Sequence, residues 1–205
     1  VFDDVIRRTI EAGYSGLENL SAIPGTVGGA VVQNIGAYGV ELAEHFVSVR
    51  IWDRQSQSER VLTLEDCDFA YRHCVFKMPK ASQWVIISAV LRVTKSFKPV
   101  IGYKDVEQVL EREGLTAETL TSAKMAEIIR EIRARKLPNP AEIGNAGSFF
   151  TNPIVNKVLW KKVLTTTPSL TTYKIGGGRM KIAAASPIEA AGFKGQNHKN
   201  VGVSD

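Results

Sequence analysis

The chain has 205 residues, 44% of them hydrophobic and 23% charged, with a formal net charge of +5. That length and composition predict a globular, soluble chain with one large domain or two small ones. The longest apolar stretches, such as residues 84–91, are far too short to span a bilayer. Cys67 and Cys74 have no metal-ligand spacing, and His45, His73 and His198 lie too far apart in sequence to complete a metal site with them, while the basic residues lack the interleaved aromatics of single-strand nucleic-acid binders.

In chain order, Phe2, Val5, Ile6 and Ile10 recur at helical spacing, and Gly13 is a stop signal. This opening, acidic and then amphipathic, does not read as a secretory leader, and a cytoplasmic location is expected. Residues 16–41 are rich in glycine and small residues, with no periodic face. Val47, Val49 and Ile51 alternate with polar residues as on a half-buried strand; residues 54–58 supply a turn and 60–64 a return strand. Residues 84–93 read as a long apolar strand at the centre of a sheet. A short helix over 105–113 ends at Gly114, and Ser122 caps a longer one through Lys136, with Met125, Ile128, Ile129 and Ile132 as its apolar stripe. The prolines of residues 136–140, KLPNP, end that helix and mark the expected domain boundary. Beyond it lie a second glycine-rich segment (144–153), a helix over about 154–164 and a tight turn at Gly176, Gly177 and Gly178.

Three segments can carry chemistry. In IPGTVGGAVVQNIGAYG, residues 23–39, glycines free the backbone to turn sharply and bring N–H groups close to an anion. It is neither a Walker loop nor a Rossmann fingerprint, and on spacing alone a packed turn explains it as well. In FAYRHCVFK, residues 69–77, Arg72 sits among aromatic and apolar neighbours: it is either a bidentate carboxylate grip or a surface ion pair. In the third, IRARKLPNP followed by GNAGSFFTNP, Arg133 and Lys136 share a helix face and either clamp phosphate oxygens or offset the helix dipole. Ser148, between Gly147 and two phenylalanines, is not a nucleophile elbow; its hydroxyl either passes a proton or makes a turn.

The order and spacing of these three segments resemble the UDP-N-acetylenolpyruvoylglucosamine reductase family. AYRHCVFK together with PVIGYKDVE at 99–107 is similar to the subtype with a tyrosine-containing loop. The resemblance implies an FAD enzyme that uses NADPH to reduce UDP-N-acetylglucosamine enolpyruvate to UDP-N-acetylmuramate for peptidoglycan. It implies that Ile23, Pro24, Gly25, Gln33, Asn34, Ile35 and Gly36 line the flavin. Arg72 would hold the substrate carboxylate and the enolate-like charge, and Ser148 would deliver a proton. Tyr38, Tyr71, Tyr103, Arg133, Lys136 and Asn152 would bind the UDP-sugar. The implied fold is α+β: residues 1–137 form part of a flavin-binding domain with an antiparallel sheet and flanking helices, and 138–205 part of a smaller α+β substrate-capping domain.

The family pattern is not matched throughout. The family has a further flavin-binding lobe ahead of the segment where this chain opens, and a catalytic glutamate that no residue up to Asp205 represents. The expectation is therefore a chain truncated at both ends. AASPIEAAGFKG, residues 184–195, carries Ser186 and Pro187 where the family has tryptophan and leucine, and Ala190 where the subtype often has glutamine. Pro187 suits only the first turn of a helix. The rival expectations are a related flavin oxidase and a UDP-sugar-binding module without catalysis.

Overall fold

The computed structural model describes residues 1–145 and 147–204; Ala146, inside the GNAGSFF stretch, and Asp205 lie outside the described residues. The chain divides into two compact units, Val1–Leu137 and Pro138–Asp205.

The first unit opens on α1 (Phe2–Glu11), which buries Phe2 and Ile6, and Gly13 follows it at φ +78°. The glycine-rich stretch that shows no periodicity nevertheless contains a helix, α2 (Val27–Gln33). Thr26 caps it by accepting the Gly29 N–H at 3.0 Å, and Ala30 and Val31 enter the core. Seven residues are too few for the period to rise above the glycines, so the cap was the readable signal. After it come two short paired strands, β1 (Gly36–Ala37) and β2 (Val40–Glu41).

The main sheet has three antiparallel strands, β3 (Phe46–Asp53), β4 (Ser58–Thr63) and β5 (Trp84–Leu91), in the order β4-β3-β5. Thus β3, not the more apolar β5, is the central strand. The continuous apolar run of β5 comes from both its faces, and one of them leaves Val85 and Val90 more than half exposed. The expected alternation in β3 holds for Val49 and Ile51, both fully buried, but Val47 faces outward. A register shift between Phe46 and Ser48 moves it off the inner face, as an extra residue in a ladder does. The return strand ends at Thr63, and Leu64 instead starts the one-turn helix α3 (Leu64–Cys67).

Two further helices, α4 (Lys104–Glu113) and α5 (Ser122–Lys136), complete the unit. Gly114 ends α4 in the left-handed region. The cap of α5 is Thr121, one residue before the expected Ser122; its hydroxyl accepts the Lys124 N–H. The stripe Met125, Ile128, Ile129 and Ile132 has no exposed surface, and each side chain contributes about 2 kcal/mol by leaving water. Cys67 and Cys74 are both buried and unpaired, and burial pushes the Cys67 thiol up to about 12, so neither is a reactive thiolate.

The second unit holds a three-stranded antiparallel sheet, β6 (Ile154–Asn156), β7 (Thr172–Ile175) and β8 (Arg179–Ile182), in the order β6-β8-β7. The expected helix from 154 therefore begins as a strand. Asn156 turns it, capping α6 (Lys157–Thr166) by accepting the Leu159 N–H at 2.9 Å. Gly177 and Gly178, both near φ +70°, form the β7–β8 turn. Pro187 falls in the first turn of α7 (Ala185–Ala190), where its missing N–H costs nothing.

Candidate active-site elements

Arg72 is where the glycine segment and the FAYRHCVFK segment meet. Its Nη1 donates to the Asn34 carbonyl at 3.0 Å and its Nη2 donates to the Gly36 carbonyl. The guanidinium also lies 5.0 Å from the Tyr71 ring centroid. Arg72 occupies the left-handed region at φ +54°, in a tight turn closed by mutual bonds between Ala70 and His73. A side chain at that φ is strained, and such strain persists only where neighbours over-determine it. Lys77 is one of them: its Nζ donates to the Arg72 carbonyl at 2.7 Å and to the Gln33 side chain. The guanidinium is thus fastened to the loop by two of its five N–H donors, which leaves three for a ligand.

Gly36 is a packing requirement. A Cβ there would stand 2.8 Å from Arg72 Nη1, 3.0 Å from Glu41 Cγ and 3.1 Å from the Val40 carbonyl. Asn34, 1% exposed, ends α2 at φ +40°. Its amide donates to Glu41 Oε2 and the Ala70 carbonyl, while its Oδ1 accepts the Ala43 N–H. Asn34 therefore spends its side chain on shaping the loop, and so does Ile35, which is buried in the core. Pro24, Gly25 and Gln33 are exposed, Ile23 and Gly36 half-exposed. Gly25, at φ +117°, has nothing within 4 Å of where a Cβ would stand. The loop thus presents exposed backbone at Gly25 and Gly29, between the exposed side chains of Pro24, Thr26 and Gln33. Behind it the Ser21 hydroxyl is buried without a hydrogen-bond partner. Exposed glycine backbone beside an unspent buried hydroxyl fits a planar, anionic group such as a flavin nucleotide.

A second cluster in this unit gathers Tyr38, Tyr103, Arg133 and Lys136. Tyr38 and Tyr103 meet edge to face with centroids 5.8 Å apart. Arg133 Nε donates to the Ala22 carbonyl at 3.2 Å, and its charge acts on the Tyr38 hydroxyl. Burial pushes the Tyr38 hydroxyl up and the Arg133 guanidinium down from their usual ranges. Lys136 pairs with Asp105 at 2.6 Å. Of the two cations expected to share a clamp, Arg133 is therefore committed inside the fold, while Lys136 stays at an exposed ion pair.

Sequence reasoning left out Asn19, Lys77 and Glu18. Lys77 was visible in the motif, but only the turn geometry shows what it holds. Glu18 is 3% exposed and accepts the Gly16 N–H with both carboxylate oxygens. Burial raises its pKa above the ordinary value. A carboxyl raised in the folded state stabilises most fully below its unfolded pKa and loses that stability as pH rises through the folded value. Glu18's own contribution to stability is therefore expected to decline with rising pH above about 4.5, so that Glu18→Gln gains melting temperature relative to the wild type as pH rises. Thermal melts of both proteins across pH 4–8 check this, and parallel slopes would contradict it.

Ser148 and Asn152 lie in the second unit. Ser148 is exposed beside Phe149 and Phe150, themselves 81% and 58% exposed. Asn152 is half-buried, its Oδ1 accepting the Ala184 N–H at 2.8 Å. The charge is divided sharply. Residues 1–137 carry 18 basic and 18 acidic side chains, whereas 138–205 carry eight and three, so the whole net charge of +5 falls in the second unit. The basic run from Arg112 to Lys136 is largely neutralised by its own ion pairs to Glu113, Glu127, Glu131 and Asp105.

A family model described as FAD binding domain matches residues 1–61. The chain is 45% identical over 199 residues to a UDP-N-acetylenolpyruvoylglucosamine reductase of Cupriavidus pinatubonensis, covering 97% of this chain and 58% of that protein. It is 42% identical over 202 residues to the one from Pseudomonas aeruginosa, covering 98% and 59%. Over nearly its whole length the chain is similar to UDP-N-acetylenolpyruvoylglucosamine reductases. It spans somewhat under three fifths of the length of these reductases. The crystal structure of the reductase (MurB) from Thermus caldophilus covers 98% of this chain with a TM-score of 0.59 at 22% identity, over 54% of its own length. That likeness concerns the fold, which is α+β with antiparallel sheets as the sequence resemblance implies. No helix among the described residues is long and apolar enough to cross a membrane.

Proposed function

We propose that this protein serves the reduction of UDP-N-acetylglucosamine enolpyruvate to UDP-N-acetylmuramate in the cytoplasm, with FAD as cofactor and NADPH as reductant. The observation that carries this reading is the locking of Arg72 onto the carbonyls of Asn34 and Gly36. A guanidinium tied to the very loop that fits a flavin is held where it can grip an acid undergoing reduction. Held by the glycine segment, FAD, once reduced by NADPH, would supply the hydride for the enolpyruvyl double bond.

The protein's own residues do the rest. The free N–H groups of Arg72 bind the substrate carboxylate and stabilise the charge that develops on it when the double bond accepts hydride. Pro24, Gly25 and Gln33 offer the exposed surface for the flavin, while Asn34 and Ile35 set the loop's shape. Within the first unit, Tyr38, Tyr71, Tyr103 and Lys136 are the residues that contact the UDP-sugar, with Arg133 supporting Tyr38 from inside the fold. The second unit, taken by itself as part of the substrate-binding domain, carries Asn152 as a UDP-sugar contact and a net positive charge suited to a diphosphate. The Ser148 hydroxyl protonates the adjacent carbon.

Enolpyruvyl UDP-sugar added to the flavin-loaded protein is expected to trigger NADPH oxidation and yield product heavier by two hydrogens. Ser148→Ala is expected to slow turnover about 100-fold or more while flavin reduction by NADPH proceeds at its normal rate. Rapid oxygen-driven oxidation of an alcohol, without response to the UDP-sugar, would assign the protein to the related oxidases. Tight UDP-sugar binding without NADPH consumption would leave a binding module.

A further inference from the structure

Residues 38 and 39 form a two-residue turn between β1 and β2, with Ala37 paired to Val40. Both turn residues have positive φ, Tyr38 at +46° and Gly39 at +87°. Glycine is at ease there; a tyrosine is not, and asparagine, aspartate or glycine normally takes its place. Gly39 also has no room to change. A Cβ on it would stand 3.0 Å from Val100 Cγ1 and 3.5 Å from the Tyr103 ring.

Asn19 fastens this turn. It is 3% exposed, between Leu17 and Leu20, which are sunk in the core at 1% and 0%. Its Nδ2 donates to the Tyr38 carbonyl at 2.7 Å and to the Val100 carbonyl at 2.9 Å. One amide thereby joins the strained turn to the segment that leads into Tyr103, the residue preceding α4. The edge-to-face contact of the two rings, 5.8 Å between centroids, closes the same junction.

We propose that Asn19 is a positioning residue that sets the Tyr38–Tyr103 pair, and through it the affinity for the nucleotide-sugar, without touching the ligand. The proposal rests on the reading of Tyr38 and Tyr103 as substrate contacts. Its chemistry is specific: the two bonds need both hydrogens of one primary amide. Aspartate has the same shape and no donor, so Asn19→Asp turns two attractions into two repulsions between oxygens. Asn19→Ser, smaller and still a donor, keeps one bond at most and guards against a variant that fails to fold.

In the flavin-loaded protein, Asn19→Asp is expected to raise KM for the enolpyruvyl UDP-sugar about tenfold, the loss of a pair of buried hydrogen bonds. The change in kcat should stay within about twofold, with flavin content and the rate of flavin reduction by NADPH preserved. Asn19→Ser should fall between the two. Aromatic proton NMR reads the geometry independently: cross-peaks between the Tyr38 and Tyr103 rings are expected in the wild type, weaker in Asn19→Ser and absent in Asn19→Asp. Unchanged cross-peaks and unchanged KM in both folded variants would overturn the inference. So would lost cross-peaks with unchanged KM when Tyr103→Ala raises KM. If Tyr103→Ala also leaves KM unchanged, the substrate reading of this wall fails and the inference falls with it.

Discussion

Arg72→Lys is expected to lower turnover about 100-fold or more while leaving the amount of bound flavin unchanged. Lysine keeps the charge but not the fork. One ammonium on a flexible stem cannot bridge the Asn34 and Gly36 carbonyls and still present two parallel donors to a carboxylate. The native guanidinium spans both carbonyls and lies against Tyr71, so its position is settled before any ligand arrives. Steady-state assays beside flavin absorbance separate the two effects. A lysine variant with near-native turnover would show that charge alone suffices at this position.

The second large effect is expected from a single methyl group. In Gly36→Ala the added Cβ would stand 2.8 Å from Arg72 Nη1 and 3.1 Å from a backbone carbonyl. The guanidinium can swing away; the carbonyl of Val40, in the paired strand β2, cannot do so without opening the hairpin. Overpacking of this kind costs about 1–3 kcal/mol, expected as a lowered melting temperature. Because relief moves Arg72 first, turnover should fall by more than the lost stability explains, at temperatures where the variant is fully folded. Gly25→Ala is the contrast. Nothing stands within 4 Å of its Cβ, so its cost is conformational, from φ +117°, and Arg72 stays in place. Equal turnover losses in the two folded variants would contradict a steric link between Gly36 and the arginine.

Much of this arrangement was legible before the structure. The stripe of α5, the stop at Gly114 and the hairpin formed by β3 and β4 follow from periodicity and turn chemistry. The glycine segment and Arg72 were recognisable as a pair because two motifs recur in a fixed order. Three things were not legible, each for a physical reason. The helix α2 is too short and too rich in glycine for an apolar face to show. The apolar run of β5 reads as a central strand, although hydrophobicity on both faces does not say which edge is paired. The division of labour inside the glycine loop was also hidden. Asn34 and Gln33 are neighbours in sequence, yet the left-handed turn at Asn34 sends one side chain inward to three internal partners and leaves the other at the surface, held by Lys77. Asn19 gives no sequence signal at all, since an asparagine next to buried leucines reads as an ordinary turn residue.

The central claim is that Arg72, fixed on the glycine loop, recognises the carboxylate of the enolpyruvyl group. Calorimetric titration with two ligands tests it: the enolpyruvyl UDP-sugar, and UDP-N-acetylglucosamine, which lacks that carboxylate. The wild-type protein is expected to prefer the first by about tenfold or more, the value of a charge-assisted bidentate contact. Arg72→Ala is expected to bind both with similar affinity. A preference that survives intact in folded Arg72→Ala would place carboxylate recognition elsewhere and contradict the account.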